Sequence, residues 1–256
     1  MNQLDVDRLE RQVKAVYRDV AQTPDEDFHF EMGRGLAEQL GYTEEDLEDV
    51  PSEAIDSFAG VGYHFDYAEI QPGDKVLDLG SGSGMDCFVA ATYATETGSV
   101  TGVDITTEQI ENARELAADN GFHNVGIEES YIEDLPFEDG TFDVVISNGV
   151  INLSASKDDV FAEAYRVLDT GGRFAISDII SERQMPESIK SDADLWAACI
   201  GGAMQIDRYT EAVEATGFAN VKVRENPQYN FISDQAANAC QKYGVKSISL
   251  GGRIPE

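Results

Sequence analysis

Apolar residues recur three and four positions apart over residues 4–20, at Leu4, Val6, Leu9, Val13, Val16, Tyr17 and Val20. That spacing predicts an amphipathic helix, ended by Pro24 and the acidic run after it. A second helical stretch is expected over 32–40. Thr43-Glu44-Glu45-Asp46-Leu47 has the form of a capped helix start, and Pro51 then breaks the chain. From Lys75 the rhythm changes to short apolar runs separated by longer amphipathic ones. Strands are expected at 76–79, 100–103, 125–127, 142–146 and 173–179, and helices at 86–95, 107–120 and 157–168. The tail adds helices at 189–204 and 208–216 and strands at 221–224 and 247–250. Strands alternating with helices of about 10–15 residues predict right-handed β-α-β units and an α/β fold with a mostly parallel, seven-stranded sheet flanked by helices.

Charge narrows the partners. The 256 residues carry 49 Asp and Glu against 18 Lys and Arg, a formal net charge of −31. This opposes docking on nucleic acid or an anionic membrane face, while 42% hydrophobic residues still supply a core. The excess is spread along the chain, as expected of a solvated surface suited to concentrated salt. Apolar runs stop short of a membrane span and no signal peptide opens the chain, so a cytoplasmic location is expected. Cys87, Cys199 and Cys240 form no C-x-x-C pair, which argues against a disulfide framework or a structural metal site.

The chemistry concentrates between the first strand and the first helix of the alternating region, at Asp78-Leu79-Gly80-Ser81-Gly82-Ser83-Gly84. Glycines at such a turn let the backbone approach a ligand at the carboxyl end of a parallel strand. Asp104 follows Gly84 by 20 residues and ends the second strand, where a carboxylate can accept both ribose hydroxyls. An adenosine-containing cofactor is therefore expected. Dinucleotide sites want G-x-G-x-x-G, but here the glycines run G-x-G-x-G and Met85 occupies the position of the last. With acidic Asp78 ahead of the turn, the arrangement suits a ligand with a positive ammonium group and no pyrophosphate.

These residues match the acidic-x-G-x-G-x-G signature of class I S-adenosylmethionine methyltransferases. Glu133 to Phe137 and Asp139 to Val145 resemble that family's fourth-strand block, and Arg166 to Phe174 its R-x-L-x-P-G-G turn, with Thr170 in place of proline. The resemblance implies a Rossmann-like fold and S-adenosyl-L-methionine as cofactor. Asp78, Gly80, Ser81, Gly82, Gly84, Asp104 and Ile105 would bind it, with Ile132 and Glu133 at the adenine and Asn148 at the methionine end. Tyr17 would close over it from the first helix. Many members carry Asp where this chain has Tyr131. The implied organisation is an N-terminal helical cap over 1–57 and a methyltransferase domain over 58–256, with the cofactor core at 75–181 and a substrate-side part at 182–256.

Within the class, Asp86-Cys87-Phe88, Ile146 to Ser154, Cys199 to Ala203 and Val13-x-x-x-Tyr17 resemble arsenite methyltransferases. In that family As(III) is held by cysteines in G-C-G, I-S-N-C-V and C-x-G-G-A. Only the last survives, as Cys199; Val61 and Gly149 replace the others. Soft As(III) needs several thiolates, so the expectation is methyl transfer to a small-molecule acceptor from a depleted thiol site. Cys199 and, as a base ahead of the first strand, His64 are the catalytic candidates. Alternatives are a quinone-type or other C/O-methyltransferase, or a non-catalytic module that binds the cofactor or a metalloid. Met85 disfavours a nicotinamide oxidoreductase.

Overall fold

The computed structural model describes residues 5–24, 26, 28, 30–190, 195, 196, 199–232 and 234–255. Its centre is one sheet built from β1 (Lys75–Leu79), β2 (Ser99–Asp104), β3 (Val125–Glu129), β4 (Phe142–Asn148), β5 (Leu168–Ser181), β6 (Met204–Gln205), β7 (Ala219–Glu225) and β8 (Lys246–Arg253). The strand order is β3-β2-β1-β4-β5-β8-β7, and β6 pairs with β5. β1 to β5 pair parallel, while β8 runs antiparallel between β5 and β7. Val76 sits in register with Val100 on one side and Val144 on the other. Both faces of the central strands are covered, so Val76, Leu77 and Leu79 are buried without alternation.

Helices α1 (Val6–Gln22), α2 (Gly33–Leu40), α3 (Glu44–Leu47) and α4 (Ser52–Asp56) precede the sheet, followed by α5 (Phe65–Ala68). Within the alternating region lie α6 (Met85–Ala94), α7 (Thr107–Asp119) and α8 (Lys157–Val167). The start at Thr43 is a capping box: Asp46 N–H donates to Thr43 Oγ1 at 3.1 Å and Thr43 N–H to Asp46 Oδ2 at 2.7 Å. Leu36, Leu40, Leu47 and Ile55 from α2 to α4 share one apolar cluster with Phe88 and Val89 of α6. The N-terminal helices therefore pack into the core itself. α1 turns Leu9 and Val13 toward a different cluster, which contains Val61, Leu153, Trp196 and Cys199.

Three details differ from the expected elements. The seven strands on the main path are joined by the two-residue β6, too short to leave a periodic signal. The turn before the fifth strand is a wide irregularity inside β5, whose pairing jumps from Phe142–Leu168 to Val144–Arg173. The helix expected over 189–204 does not run through: a helix spans Glu187–Lys190, residues 199–202 form turns, and Cys199 has φ +59°. Residues 191–194, 197 and 198 of that stretch lie outside the described residues.

Candidate active site

A cavity of about 440 Å³ opens at the carboxyl ends of β1, β2 and β4, beneath α1. This is where the strand order reverses direction from β1, the position at which open parallel sheets bind ligands. Ten of the eleven residues expected to hold a cofactor line it or its rim together: Asp78, Gly80, Ser81, Gly82, Asp104, Ile105, Ile132, Glu133 and Asn148, with Tyr17 joining them from α1. Gly84 does not. It opens α6 at φ +92°, and a Cβ there would lie 3.0 Å from the Phe88 ring, so its bareness serves helix packing. Gly80 is the tightest of the three, because at φ +73° a Cβ would fall 2.6 Å from Val150.

Asp104 is held from both sides. Its Oδ2 accepts from Gly82 N–H at 3.0 Å and its Oδ1 from Thr106 N–H at 2.8 Å, which leaves lone pairs for further donors. Burial still pushes its carboxyl up against those bonds. At β4, Asn148 Oδ1 accepts from Val61 N–H at 2.8 Å, while its amide donates to Asp86 Oδ2 at 3.0 Å and Gly62 O at 3.0 Å. Glu133 accepts from Ser154 Oγ.

Two residues to which the motif reading gave no site role complete the cavity. Asp86, in the first turn of α6, is buried and accepts from Tyr42 O–H at 2.5 Å. Burial raises its carboxyl to about 6 against the opposing hydrogen bonds of Tyr42 and Asn148. Burial first, then neighbouring Asp86, pushes Asp78 well up as well, while Cys87 Sγ–H donates to Asp78 at 3.3 Å. Gln109 of α7 bridges the glycine turn to the covering helix: it accepts from Ser83 Oγ and donates to Tyr17 O at 2.9 Å. A lone Asp in the otherwise apolar run Met85–Ala94 was a signal for Asp86; Gln109 left none, because its partners are 26 and 92 residues away.

Seven carboxylates line the cavity, and no lysine, arginine or histidine does, among the described residues. Such a lining favours a cation and repels a pyrophosphate. Tyr131, where an acidic residue is common in the resembled family, instead donates from its hydroxyl to Glu10 Oε1 at 2.5 Å and so pins α1 over the opening.

Neither catalytic candidate lines this cavity. His64 is fully buried, its ring 4.7 Å from that of Phe65, and neither ring nitrogen has a hydrogen-bond partner. Burial lowers it to about 3, so it is neutral and faces the interior. Cys199 packs beside Val61, Leu153 and Trp196, and burial pushes its thiol up to about 12. A Cβ on Gly149 would meet Val61 at 3.2 Å, so positions 61 and 149 touch, and position 199 shares their apolar cluster through Val61. Cys240 packs against the same cluster.

The sheet order and the cavity at the strand ends define a Rossmann-like α/β protein. The chain belongs to the methyltransferase-domain family, whose description matches residues 70–217. It is 40% identical over 220 residues to an arsenite methyltransferase of Halobacterium salinarum, covering 86% of this chain and 56% of that protein. The chain spans about half the length of the curated relatives it matches. Among solved structures it is similar to an arsenic(III) S-adenosylmethionine methyltransferase from Chlamydomonas reinhardtii. There the identity is 34% and the TM-score 0.71, with 83% of this chain and 73% of that one covered. A phosphoethanolamine N-methyltransferase of Haemonchus contortus, bound to S-adenosylhomocysteine, shares the fold at 19% identity and a TM-score of 0.62, over 75% of this chain and 51% of that one.

Proposed function

We propose that the protein transfers the methyl group of S-adenosyl-L-methionine to a small-molecule acceptor, from an arsenite methyltransferase-like site that has lost most of its thiols. The observation that carries this reading is the cavity itself: a glycine turn and a fixed Asp104 at adjacent strand ends, in a lining of carboxylates without a cation. The residues present fit the cofactor's parts. Asp104 suits the ribose hydroxyls, Ile105 and Ile132 give the adenine apolar walls, and Asp78 and Asp86 oppose positive charge. When bound, the cofactor supplies a methyl group activated on sulfur. The protein aligns and dries the site: α1 covers the opening through Gln109–Tyr17 and Tyr131–Glu10, while Leu9, Val13, Val150 and Leu153 keep the acceptor end apolar.

The acceptor follows from the thiols. Val61 and Gly149 offer no thiol, so of the three positions that hold soft As(III) in the resembled family only the buried Cys199 keeps one, with Cys240 at the edge of its cluster. The acceptor is therefore a small molecule that is not thiolate-held, in a cytoplasmic setting of high salt. Arsenite turnover by the wild type is compared with that of Val61→Cys combined with Gly149→Cys. The change at 61 also removes one γ-methyl from the crowded approach to position 149. Turnover only in the double variant supports the depleted-site reading; robust arsenite methylation by the wild type overturns it.

A further inference from the structure

A second cavity, of about 430 Å³, adjoins the first at the start of α8 and reaches β6 and the helix Ile206–Thr216. The two share Ala155, Ser156 and Asp159, and the second has the size of a small-molecule site. Its charge is the reverse of its neighbour's. The chain has only 18 Lys and Arg in 256 residues, yet Lys157, Lys190 and Arg208 all line this one space. Asp158 and Asp159 line it too, from the first turn of α8, where the N-terminal amides of the helix already favour carboxylates.

Each basic group is brought there by a separate piece of the fold. Lys157 is buried: its ammonium donates to Asn152 O at 3.0 Å and Ser154 O at 2.8 Å, and lies 4.7 Å from the Trp196 ring. Those partners carry only partial charges, and no carboxylate comes within salt-bridge distance of it among the described residues. Burial lowers the ammonium to about 8, with Asp178, Glu133 and Asp158 opposing the shift, so it is still mainly charged at neutral pH. Two of its three N–H donors are used, which leaves one for a ligand. Arg208 is exposed in the first turn of its helix, directly after β6, and makes no salt bridge with any described residue. Lys190 joins through Trp196, whose indole N–H donates to Lys190 O at 2.7 Å. Trp196 is clamped in turn, because Cβ atoms on Gly201 and Gly202 would fall 2.2 and 2.8 Å from its ring. A buried ammonium lacking a full countercharge, beside a guanidinium lacking one, favours an anionic ligand.

We propose that this second cavity binds a small oxyanionic molecule, a carboxylate or a phosphate, held by Arg208 and Lys190 at the rim and Lys157 at the inner wall. The planar guanidinium of Arg208 presents paired donors that match either oxyanion. The net charge of −31 opposes any anion at long range. In molar salt, screening shortens that repulsion to about 3 Å, while contacts inside a cavity are screened much less. The site is thus suited to the salty solvent that the acidic surface fits. It is independent of the methyl-transfer reading, because none of its three cations lines the first cavity.

Titration calorimetry in concentrated KCl tests this with two probes, inorganic phosphate and citrate. Chloride is in large excess throughout, so saturable heat reports a preference for an oxyanion over a halide. Binding of phosphate alone or of citrate alone identifies the oxyanion, and either supports the site. Arg208→Gln, at an exposed position, is expected to weaken the bound probe about tenfold, the loss of a hydrogen bond to a charged group. Lys157→Gln removes the buried charge but keeps N–H donors for the two carbonyls, and is expected to weaken it at least as much. Lys222→Gln, on β7 and outside the cavity, is expected to bind as the wild type does. Absence of saturable binding for both probes overturns the proposal. So does an Arg208→Gln protein that binds as tightly as the wild type, or a Lys222→Gln protein weakened as much as Arg208→Gln, since the probe then sits elsewhere or answers only to overall charge. Each of these failures leaves the methyltransferase reading standing.

Discussion

Replacing His64 with leucine separates a catalytic histidine from a buried one through the pH dependence of stability. The imidazole is fully buried without a partner for either nitrogen, and burial holds it near 3 in the folded protein against 6.5 for an exposed ring. A depressed folded value means that the unfolded chain takes up the proton first. Stability from the neutral ring is fully present above pH 6.5 and is lost as the pH falls toward 3. Between pH 6.5 and pH 5 the loss is about 2 kcal/mol, at 1.36 kcal/mol per unit. Removing the unpaired ring N–H adds a gain of about 1–3 kcal/mol, offset in part by changed packing on Phe65. Both of those contributions are the same at the two pH values and cancel in the comparison. So does the opposite trend of Asp86, which favours folding as pH falls from about 6 toward 3.8 in either protein. Urea unfolding in concentrated KCl at pH 7.5 and pH 5 measures the difference. The variant is expected to gain about 2 kcal/mol on the wild type at the lower pH relative to the higher, with methyl transfer retained. An identical difference at both pH values, or loss of activity with cofactor affinity intact, would refute the assignment of His64 as a neutral interior group.

Gly80→Ala combines a left-handed backbone with a 2.6 Å approach to Val150, and strain plus overpacking is expected to cost about 2–5 kcal/mol of stability. Gly82→Ala, whose Cβ finds nothing nearer than 3.8 Å, is expected to lose only about 1–2 kcal/mol while weakening cofactor binding. Equal losses in chemical denaturation would contradict the geometry. Cofactor affinity is expected to fall by up to tenfold per unit as pH drops below about 6, because Asp86 then takes up a proton and its countercharge is lost. Tyr42, Tyr63, Asp46, Asp78 and Cys87 are the polar and ionisable groups around it, and a flat profile in equilibrium dialysis between pH 7.5 and 5 would exclude that role. Thermal midpoints are expected to rise with KCl as the net charge of −31 is screened, and a protein equally stable at low ionic strength would refute this.

What could be read in advance followed the range of the interactions. β1, the glycine turn and α6 are specified by residues within one or two turns of each other, and their order alone indicated a parallel sheet. The residues that line the cavity were legible because strand ends carry them at fixed offsets from the glycines. His64 and Cys199 lie outside the cavity lining for a shared reason. A histidine or cysteine near a motif looks chemical in one dimension, but its direction depends on packing partners far along the chain, such as Leu153 and Val61 beside Cys199. Asp86 and Gln109 escaped because their meaning lies in Tyr42, Asn148, Ser83 and Tyr17, which only the fold brings to them. The turn at 199–202 broke an expected helix because Gly202 passes so near Asn152 O that a Cβ would sit 1.8 Å from it. Close approach of that kind has no periodic signature.

The placement of β8 bears on how the protein is made. It follows the other strands of this sheet in the chain, yet it belongs between β5 and β7, matched antiparallel to β5 from Arg173–Arg253 to Ile180–Lys246. Until residues 246–253 leave the ribosome, β5 presents the unpaired edge of a strongly apolar strand, and β7 has nothing to pair with. A nascent chain stalled or truncated just before this segment would carry an adhesive edge in place of β7's natural rim, whose Lys222, Arg224 and Glu225 face solvent. This eight-residue strand thus decides whether the newborn sheet closes on itself or on its neighbours.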